Sequence, residues 1–301
     1  MAQIDSGCVP TNDQVEVTDI MRALEPEVFD AVWTAIEPLI PPPPRTHPLG
    51  CHRPRVSARL CFWGILVRLV TGCSWTSVEA ILGYQVSDTT LRARRDEWLD
   101  AGVFDLVREH ALHAYDKIIG LDLSEVAIDG SLHKAPCGGE GTGKNPTDRG
   151  KLGWKWSIAT DAKGIPIGWA IDGANRNDVK LLAPTLEDLD RDGLLYDIET
   201  VPLDRGYDYP VIRAQLVADL NIQRRTKPGD DLTIKKPLRL GLRWVVEGTN
   251  SWLSNYGQLR RNTDRRTRHR HAQLCLVTVL LITAKLIDWR DRWSPDSLPI
   301  R

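Results

Sequence analysis

The hydrophobic pattern changes its period near Gly120, and this change limits the possible folds more than any other feature of the sequence. Before it, apolar residues recur at helical spacing in three bursts over residues 57–104. After it, short runs rich in β-forming residues cover 125–128, 155–160 and 166–171. The sequence therefore predicts an all-helical unit followed by a unit that contains a sheet.

Turn-forming residues at 72–74 and 83–86 divide the helical unit into three helices. Ser87 or Asp88 is a good N-cap for the third helix, which ends near Gly102. This arrangement predicts a helix-turn-helix with residues 89–98 as the DNA-recognition element. A structural helical bundle with a basic third helix remains the alternative. The basic residues of the third helix are Arg92, Arg94 and Arg95.

The chain after the three strand-like runs alternates between helix and strand. A helix is expected over residues 178–189, a strand over 200–203, a helix from Pro210, a strand over 221–225 and a long helix through Glu247. Strands followed by strand and helix in alternation predict a mixed α/β fold. The predicted units are an amino-terminal helix with a proline-rich connector (1–56), the helical unit (57–120) and the mixed α/β unit (121–301).

Composition indicates an ordinary globular protein. The chain has 301 residues, of which 42% are hydrophobic and 26% charged, so it can bury a sizeable core. The six cysteines form no CxxC pair, which is typical of reduced thiols in a cytosolic protein. No signal peptide is expected, and the apolar stretches 60–73 and 274–287 are too short to span a bilayer, so they are predicted to be core helices.

Charge is distributed unevenly, although the net charge is only −1. Residues 1–40 carry eight acidic residues and one arginine, whereas residues 221–275 carry thirteen lysines or arginines and four acidic residues. The basic carboxyl-terminal third could face the phosphates of a nucleic acid. A solvated face without a partner is the alternative.

Three acidic residues stand where a metal site could form. Asp129 and Asp204 each follow a short hydrophobic strand-like run, and Glu247 lies four residues after Arg243 on a predicted helix. Carboxylates suit Mg²⁺, and two such ions can activate a nucleophile and stabilise the leaving oxygen in phosphoryl transfer. Taken singly, each acid could also be a turn residue or part of a surface ion pair.

The segments VAIDGSLHKA, GKNPTDRGKLGWK, PLDRGYD and RWVVEGTNSWL resemble the DDE transposases of bacterial insertion sequences, in the IS-five and IS-four-like group. The amino-terminal segments IEPLIPPPP, LVTGCSW and AGVFD resemble that group as well. The resemblance implies an RNase H-like catalytic domain in which Asp129, Asp204 and Glu247 hold Mg²⁺ or Mn²⁺, as two ions. It also implies cleavage of transposon-end DNA and strand transfer into target DNA.

Further expectations follow from the resemblance. Double-stranded DNA would be the partner, a homodimer would act on paired ends, and the protein would be cytoplasmic, nucleoid-associated and independent of membranes. Two alternatives stay open: a non-catalytic DNA-binding relative, and an RNase H-like nuclease without strand transfer. The sequence departs from the family at Arg205, where lysine is common, and at Gly248 and Asn250, which replace an arginine and an aromatic residue.

Several side chains are candidates for DNA contact. A glycine-rich loop, Gly138-x₄-Gly143-Lys144, imitates a P-loop but has Asn145 where Ser or Thr must hold Mg²⁺, so ATP binding is rejected. The loop could instead reach DNA phosphates, or be a solvated hairpin. The complete candidate set is Arg92, Arg94, Arg95, Lys144, Arg149, Lys151, Arg205, Arg243, Trp252, Arg260 and Arg261.

Histidines and tryptophans are mostly assigned structural roles. His269 and His271 are expected to join neighbouring arginines in a basic strip, not a metal site, and His133 is expected to be a structural histidine. Trp252, one turn past Glu247, is the tryptophan expected to contact a base. The tryptophans predicted to lie in the core are Trp63, Trp75, Trp98, Trp244 and Trp289.

Overall fold

The computed structural model describes residues 22–42, 55–203, 207 and 243–293. Helix α1 (Pro26–Ile36) leads into a 3₁₀ turn (Glu37–Leu39), and four helices follow after the connector. These are α2 (Ala58–Thr71), α3 (Trp75–Ile81), α4 (Asp88–Asp100) and α5 (Val103–Ile118). The breaks between α2, α3 and α4 fall at the predicted turns.

The caps explain where these helices begin and end. The side chains of Ser74 and Ser87 accept hydrogen bonds from the backbone N–H groups of Ser77 and Thr90, which satisfies free donors at the starts of α3 and α4. Helix α2 ends at Gly72, which has a left-handed backbone (φ +74°). A Cβ at Gly72 would lie 2.9 Å from the backbone of Gly257, so α2 approaches that residue more closely than any side chain allows.

The sheet is built around one central strand. Strand β3 (Leu152–Thr160) pairs antiparallel with β1 (Ala127–Lys134) on one side and with β4 (Pro166–Gly173) on the other. The short strand β2 (Gly143–Lys144) pairs with the beginning of β3. In this register Asp129 is opposite Ile158 and His133 is opposite Trp154, so these side chains share one face of the sheet.

Helix α6 (Val179–Arg191) covers the opposite face of the sheet. Leu182 and Leu189 pack there with Ile128 and Ile167 in one hydrophobic cluster. Lys155 is buried on this face, and its Nζ donates to Asp178 Oδ1 at 2.7 Å and to the carbonyl of Arg176 at 2.9 Å. The buried ammonium group thus has a charged partner, as a buried lysine requires.

The remaining helices are α7 (Arg243–Asn255), α8 (Gly257–Arg260) and α9 (Thr267–Arg292). One hydrophobic cluster joins α1 to α5 with the sheet face that carries Asp129 and with α7 to α9. Helix α9 is long and apolar enough to cross a membrane by length and composition, but 61% of its most apolar window is buried inside the protein. That burial is typical of a core helix, as predicted for residues 274–287.

A second link between the helical unit and α9 is a buried cluster of charges. Asp264 accepts hydrogen bonds from Arg68 at 2.9 Å, Arg95 at 3.0 Å and Gln273 at 2.7 Å. Burial alone would raise the pKa of Asp264, but the two guanidinium groups outweigh that effect and hold its pKa below the ordinary value. The cluster therefore remains ionised and ties α2 and α4 to the segment before α9.

The mixed α/β class and the amino-terminal helical region are confirmed, and an RNase H-like topology remains a prediction. The expected strand at 200–203 is not a regular strand among the described residues. The predicted helix from Pro210 and strand over 221–225 lie outside them. The predicted unit boundary near residue 120 stays a prediction, although one hydrophobic cluster includes residues from both sides of it.

Two groups of sequence-based assignments require correction. Trp244 and Trp289 are 69% and 38% exposed, so they are not core residues as predicted, because each lies on the solvent side of its helix. The expected basic strip is also interrupted, since Arg270 and His269 are buried. Arg270 donates to the carbonyls of Glu140 and Asp264, which leaves Arg265 and Arg266 as exposed arginines of this segment.

Candidate active site

Helix α7 is attached to the sheet directly beside Asp129. The indole Nε1 of Trp156 on β3 donates to Asn250 Oδ1 at 2.7 Å, and Asn250 Nδ2 donates to Asp129 Oδ2 at 3.1 Å. Because an indole can only donate, the amide oxygen of Asn250 must face Trp156, and its NH₂ group must then face Asp129. Asn250 therefore orients the carboxylate of Asp129 and is not itself a free oxygen ligand.

Glu247 lies one helical turn before Asn250 on α7. Residues three apart on a helix share a face, so the carboxylate of Glu247 is on the side of α7 from which Asn250 reaches Asp129. Glu247 is exposed, whereas Asp129 is half-buried and Asn250 is buried. The structure thus brings β1 and the Glu247 helix together at Asp129.

A second contact fixes the rotation of α7. The hydroxyl of Thr249 donates to the carbonyl of Gly164 in the β3–β4 turn at 2.9 Å. The carboxylate of Asp161, buried under this turn, accepts the backbone N–H groups of Lys163 and Ile165. Asp161 stabilises the turn internally and Thr249 joins it to α7, so rotation of the helix would break a buried hydrogen bond.

The third predicted acid, Asp204, lies outside the described residues. The chain leading towards it can be followed: the N–H of Glu199 donates to the carbonyl of Leu123 at 3.1 Å, and the N–H of Val126 donates to the carbonyl of Thr200 at 2.8 Å. Both chains advance in the same direction in this pairing. The segment before Asp204 therefore runs beside the segment that enters β1.

The candidate DNA contacts fall into different environments. Arg94 and Arg95 are only 7% and 8% exposed and pair with Glu97 and Asp264, so we withdraw both from the DNA-facing set. Arg92 is exposed and pairs with Asp88 within α4. The recognition helix predicted at residues 89–98 thus has one exposed arginine instead of three, because its other two face the core.

Most of the other described candidates for DNA contact are exposed. Lys144, Arg149 and Lys151 are exposed around the β2–β3 turn, which leads into a strand, as expected if the loop is not a P-loop. Trp252 is half-buried, with Lys285 Nζ 5.3 Å from its ring centroid. Arg243 is the first residue of α7, Arg205 lies outside the described residues, and Arg260 and Arg261 are exposed.

A second group of possible metal ligands occurs at Asp105, His271 and Cys275. Trp169 Nε1 donates to His271 Nδ1 at 3.0 Å, so the other ring nitrogen carries the proton that bonds Asp105 at 2.6 Å. Burial also raises the pKa of the Cys275 thiol, which keeps it protonated. A metal here would have to displace both protons, so we interpret the group as a hydrogen-bonded cluster.

His133 stacks on Trp156 inside the same sheet face, with ring centroids 3.7 Å apart. Its Nε2 has no hydrogen-bond partner among the described residues, and burial lowers the pKa of His133 to about 3. A buried neutral imidazole packed on indoles is a structural residue. This placement agrees with its predicted structural role.

The buried imidazole predicts a specific acid sensitivity. Below pH ~6.5 the unfolded chain binds a proton at His133 that the folded protein does not bind. The free energy of unfolding should therefore fall by about 1.4 kcal/mol per pH unit from this residue, down to the folded pKa. His133→Phe should flatten the curve between pH 6.5 and 4.5 in urea titrations, and the exposed His113→Gln should not. Parallel curves for wild type and His133→Phe would contradict this.

The structure is a mixed α/β protein in which Asp129 of the first strand contacts helix α7. Residues 120–283 match a family described as "Transposase DDE domain", and residues 28–107 match one described as "Putative transposase of IS4/5 family". The chain therefore belongs to the DDE transposase family. The resemblance predicted from the sequence motifs is confirmed.

Two relatives from Burkholderia cepacia are similar over part of the chain. One is the "Putative transposase for insertion sequence element IS402", 37% identical over 134 residues, which are 42% of this chain and 60% of that protein. The other is the "Insertion element IS402 uncharacterized 16.2 kDa protein", 36% identical over 122 residues, 40% of this chain and 82% of that protein. The match thus spans less than two thirds of the first relative.

Asn250 is the residue of this site that motif comparison did not identify as functional. In the sequence it stands out only as a departure from the family, at a position where an aromatic residue is common. Its spacing of three residues from Glu247 was the available signal, since that spacing places both side chains on one helix face. The partner Trp156 could not be found without the strand register.

Proposed function

We propose that this protein cleaves transposon-end DNA and joins the freed end to target DNA, with Asp129, Asp204 and Glu247 as the acidic residues of the reaction centre. The observation that carries the proposal is the contact of Asn250 with Asp129, which holds the Glu247 helix against the strand that carries the first acid. Family membership supports a transposase, and the particular chemistry is inferred from the residues.

The donor set suits a hard divalent cation. Asp129 and Glu247 offer carboxylate oxygens, and the amide oxygen of Asn250 is already engaged by Trp156. Oxygen ligands of this kind match Mg²⁺ or Mn²⁺. A pair of such ions, when bound, would supply Lewis acidity to the attacking and leaving oxygens of an in-line displacement.

The residues of the chain supply position and charge. Asn250 fixes the orientation of the Asp129 carboxylate through its Nδ2–H donor, and Trp156 fixes the orientation of Asn250. Asp204 lies outside the described residues and is included because it follows the segment 199–203, whose first two residues pair with the chain that enters β1. Exposed Glu247 then closes the centre from the solvent side.

Double-stranded DNA is the proposed partner, first as the transposon end and then as the target. Because a transposon has two ends to be cut and joined, we include a homodimer on paired ends in the proposal. A soluble cytoplasmic protein is expected of this family, and association with the nucleoid would follow from DNA binding. The non-catalytic DNA-binding relative and the plain nuclease are the outcomes that the following experiment separates.

The test is an assay on a labelled duplex of the element's own end together with a supercoiled target. With Mg²⁺ or Mn²⁺ we expect nicks at the transposon end and products joined to the target, and with EDTA we expect neither. Cuts without joined products would favour the plain nuclease. DNA binding without any cut would favour the non-catalytic relative.

A further inference from the structure

An arginine-rich cleft opens between the helical unit and the segment before α9. Its volume is about 470 Å³, and its walls are formed by the α2–α3 turn, by α4 and by residues 261–266. Five arginines and one aspartate line it, so its lining is strongly positive. Among the described residues of the proposed reaction centre, neither Asp129 nor Glu247 lines this cleft.

Among the described residues, Arg68, at the floor of the cleft, is paired with an acidic residue of the protein, whereas Arg261 and Arg266, at its rim, are not. Arg68 pairs with Asp264 and lies over the ring of Trp75, 4.3 Å from the ring centroid, so it forms the floor. Arg261 and Arg266 are exposed, and neither forms an ion pair within the part of the chain that the structure describes. The positive charge of the rim is therefore available to a ligand.

The other two arginines of the cleft, Arg92 and Arg265, each contact another residue of the protein. Arg92, on the α4 wall, pairs with Asp88 on the protein surface, where such a pair contributes little and can exchange. Arg265 Nε donates to the carbonyl of Cys137 at 3.2 Å, which holds this part of the rim against the glycine loop. Cationic side chains thus stand on both walls of an open cleft, an arrangement that suits an extended polyanion.

Close backbone contacts beside the cleft fix the positions of Gly72 and Arg265, one on each wall. A Cβ at Gly257 would lie 2.4 Å from the backbone nitrogen of Gly72, and a Cβ at Gly139, at φ +108°, would lie 2.1 Å from the carbonyl oxygen of Arg265. Only glycine permits such approaches. The rim is therefore organised before any ligand arrives, which lowers the entropic cost of binding.

We propose that this cleft binds the phosphate backbone of duplex DNA, with Arg92, Arg261 and Arg266 as the phosphate contacts. The inference rests on the proposed function in one respect only, the identification of the polyanion as DNA. Guanidinium groups match phosphate geometry, and helices from the amino-terminal unit supply one wall of the cleft. The arginine cleft is thus a binding site separate from the reaction centre.

The position of the cleft relates it to the reaction centre. Strand β1 carries Asp129 near its beginning, and its last residue, Lys134, bridges to Arg261. Five residues of strand at about 3.3 Å each separate Asp129 from Lys134, a span of roughly 17 Å. A duplex whose axis followed β1 would have about five base pairs over this span, at about 3.4 Å per base pair.

The experiment measures DNA binding by the full-length protein in EDTA, so that cleavage plays no part. Binding of an end duplex and of a scrambled duplex is followed by fluorescence anisotropy over a range of salt concentrations. Arg261→Gln/Arg266→Gln should lower affinity roughly eightfold per arginine near 0.1 M salt and reduce the salt slope by about 0.9 per contact, on both duplexes. The matched control is Arg59→Gln/Arg290→Gln, which removes two exposed arginines outside the cleft.

The outcomes are separable. An unchanged salt slope in the cleft variant, or an equal loss in the control variant, would overturn the proposal, as would a wild-type protein that does not bind DNA in EDTA. Circular dichroism and thermal unfolding of each variant establish that it is folded. If the cleft variant loses binding while wild type binds but never cuts DNA, the cleft stands and the catalytic proposal fails. If wild type cleaves DNA and the cleft variant binds DNA as tightly as wild type does, the catalytic proposal stands and the cleft proposal fails.

Discussion

Replacing Asp129 with asparagine is expected to reduce DNA cleavage on the order of 10³-fold or more. The substitution removes a carboxylate ligand at nearly constant volume, and a metal's stabilisation of transition-state charge is worth several kcal/mol at about 1.4 kcal/mol per tenfold in rate. Asp204→Asn and Glu247→Gln should have similar effects. The measurement is the single-turnover cleavage rate of an end duplex in Mg²⁺, with DNA binding in EDTA measured alongside.

The control within this prediction is Asn250→Ala. Asn250 acts through Asp129, so its loss should reduce the rate roughly 10–100-fold and raise the Mg²⁺ concentration needed for half-maximal cleavage, as loss of groups that orient metal ligands does. A purely structural role would lower thermal stability without moving that concentration. Near-normal cleavage by Asp129→Asn, Asp204→Asn or Glu247→Gln would remove that residue from the proposed centre.

Replacing Asp264 with alanine is expected to destabilise the protein by roughly 3–5 kcal/mol, because it leaves two buried guanidinium groups without their shared carboxylate. Arg68 and Arg95 are 4% and 8% exposed, so water cannot replace the lost partner. Chemical denaturation monitored by tryptophan fluorescence gives the free energy of unfolding. The stabilising charge of Asp264 is present above the ordinary aspartate pKa, and it is lost as pH falls through the depressed pKa.

The comparison variant for Asp264 is Asp100→Asn. Asp100 pairs with Arg268 at the protein surface, where its side chain is 64% exposed, so its loss should cost less than about 1 kcal/mol. A similar small effect for Asp264→Ala would show that the buried charges rearrange or become hydrated. In that case the cluster would not be the link between α2, α4 and the segment before α9.

The sequence predicted helices and strands well where hydrophobic spacing or an N-cap residue alone determines them. Ser87, one of the two expected N-caps, caps α4, and the predicted runs over 155–160 and 166–171 lie in the paired strands β3 and β4. The hydrophobic run before Asp129 also identified it as a candidate, although strand β1 does not end there but continues to Lys134. These features depend on neighbours in sequence, so the sequence displays them directly.

Features that depend on tertiary pairing were missed. Arg94 and Arg95 have the pattern of an exposed basic helix face, yet Asp264, far away in sequence, neutralises Arg95 and the fold buries both. Trp244 lies in an apolar sequence but points to solvent. Asn250 gains its role from Trp156, a strand residue ninety-four positions earlier. The spacing of residues along the sequence does not predict such contacts between distant positions.

The single hydrophobic cluster that joins the helical unit to the sheet has a consequence for how DNA would be measured along its length. A transposase whose DNA-holding and DNA-cutting parts are connected by a flexible linker can place its cut at several distances from the held sequence. In this protein the arginine cleft and Asp129 belong to one packed body, connected through β1 and α8. If both proposals hold, the fold fixes the distance between the phosphates that the cleft binds and the phosphate that is cut, and the sequence of each transposon end must match that distance.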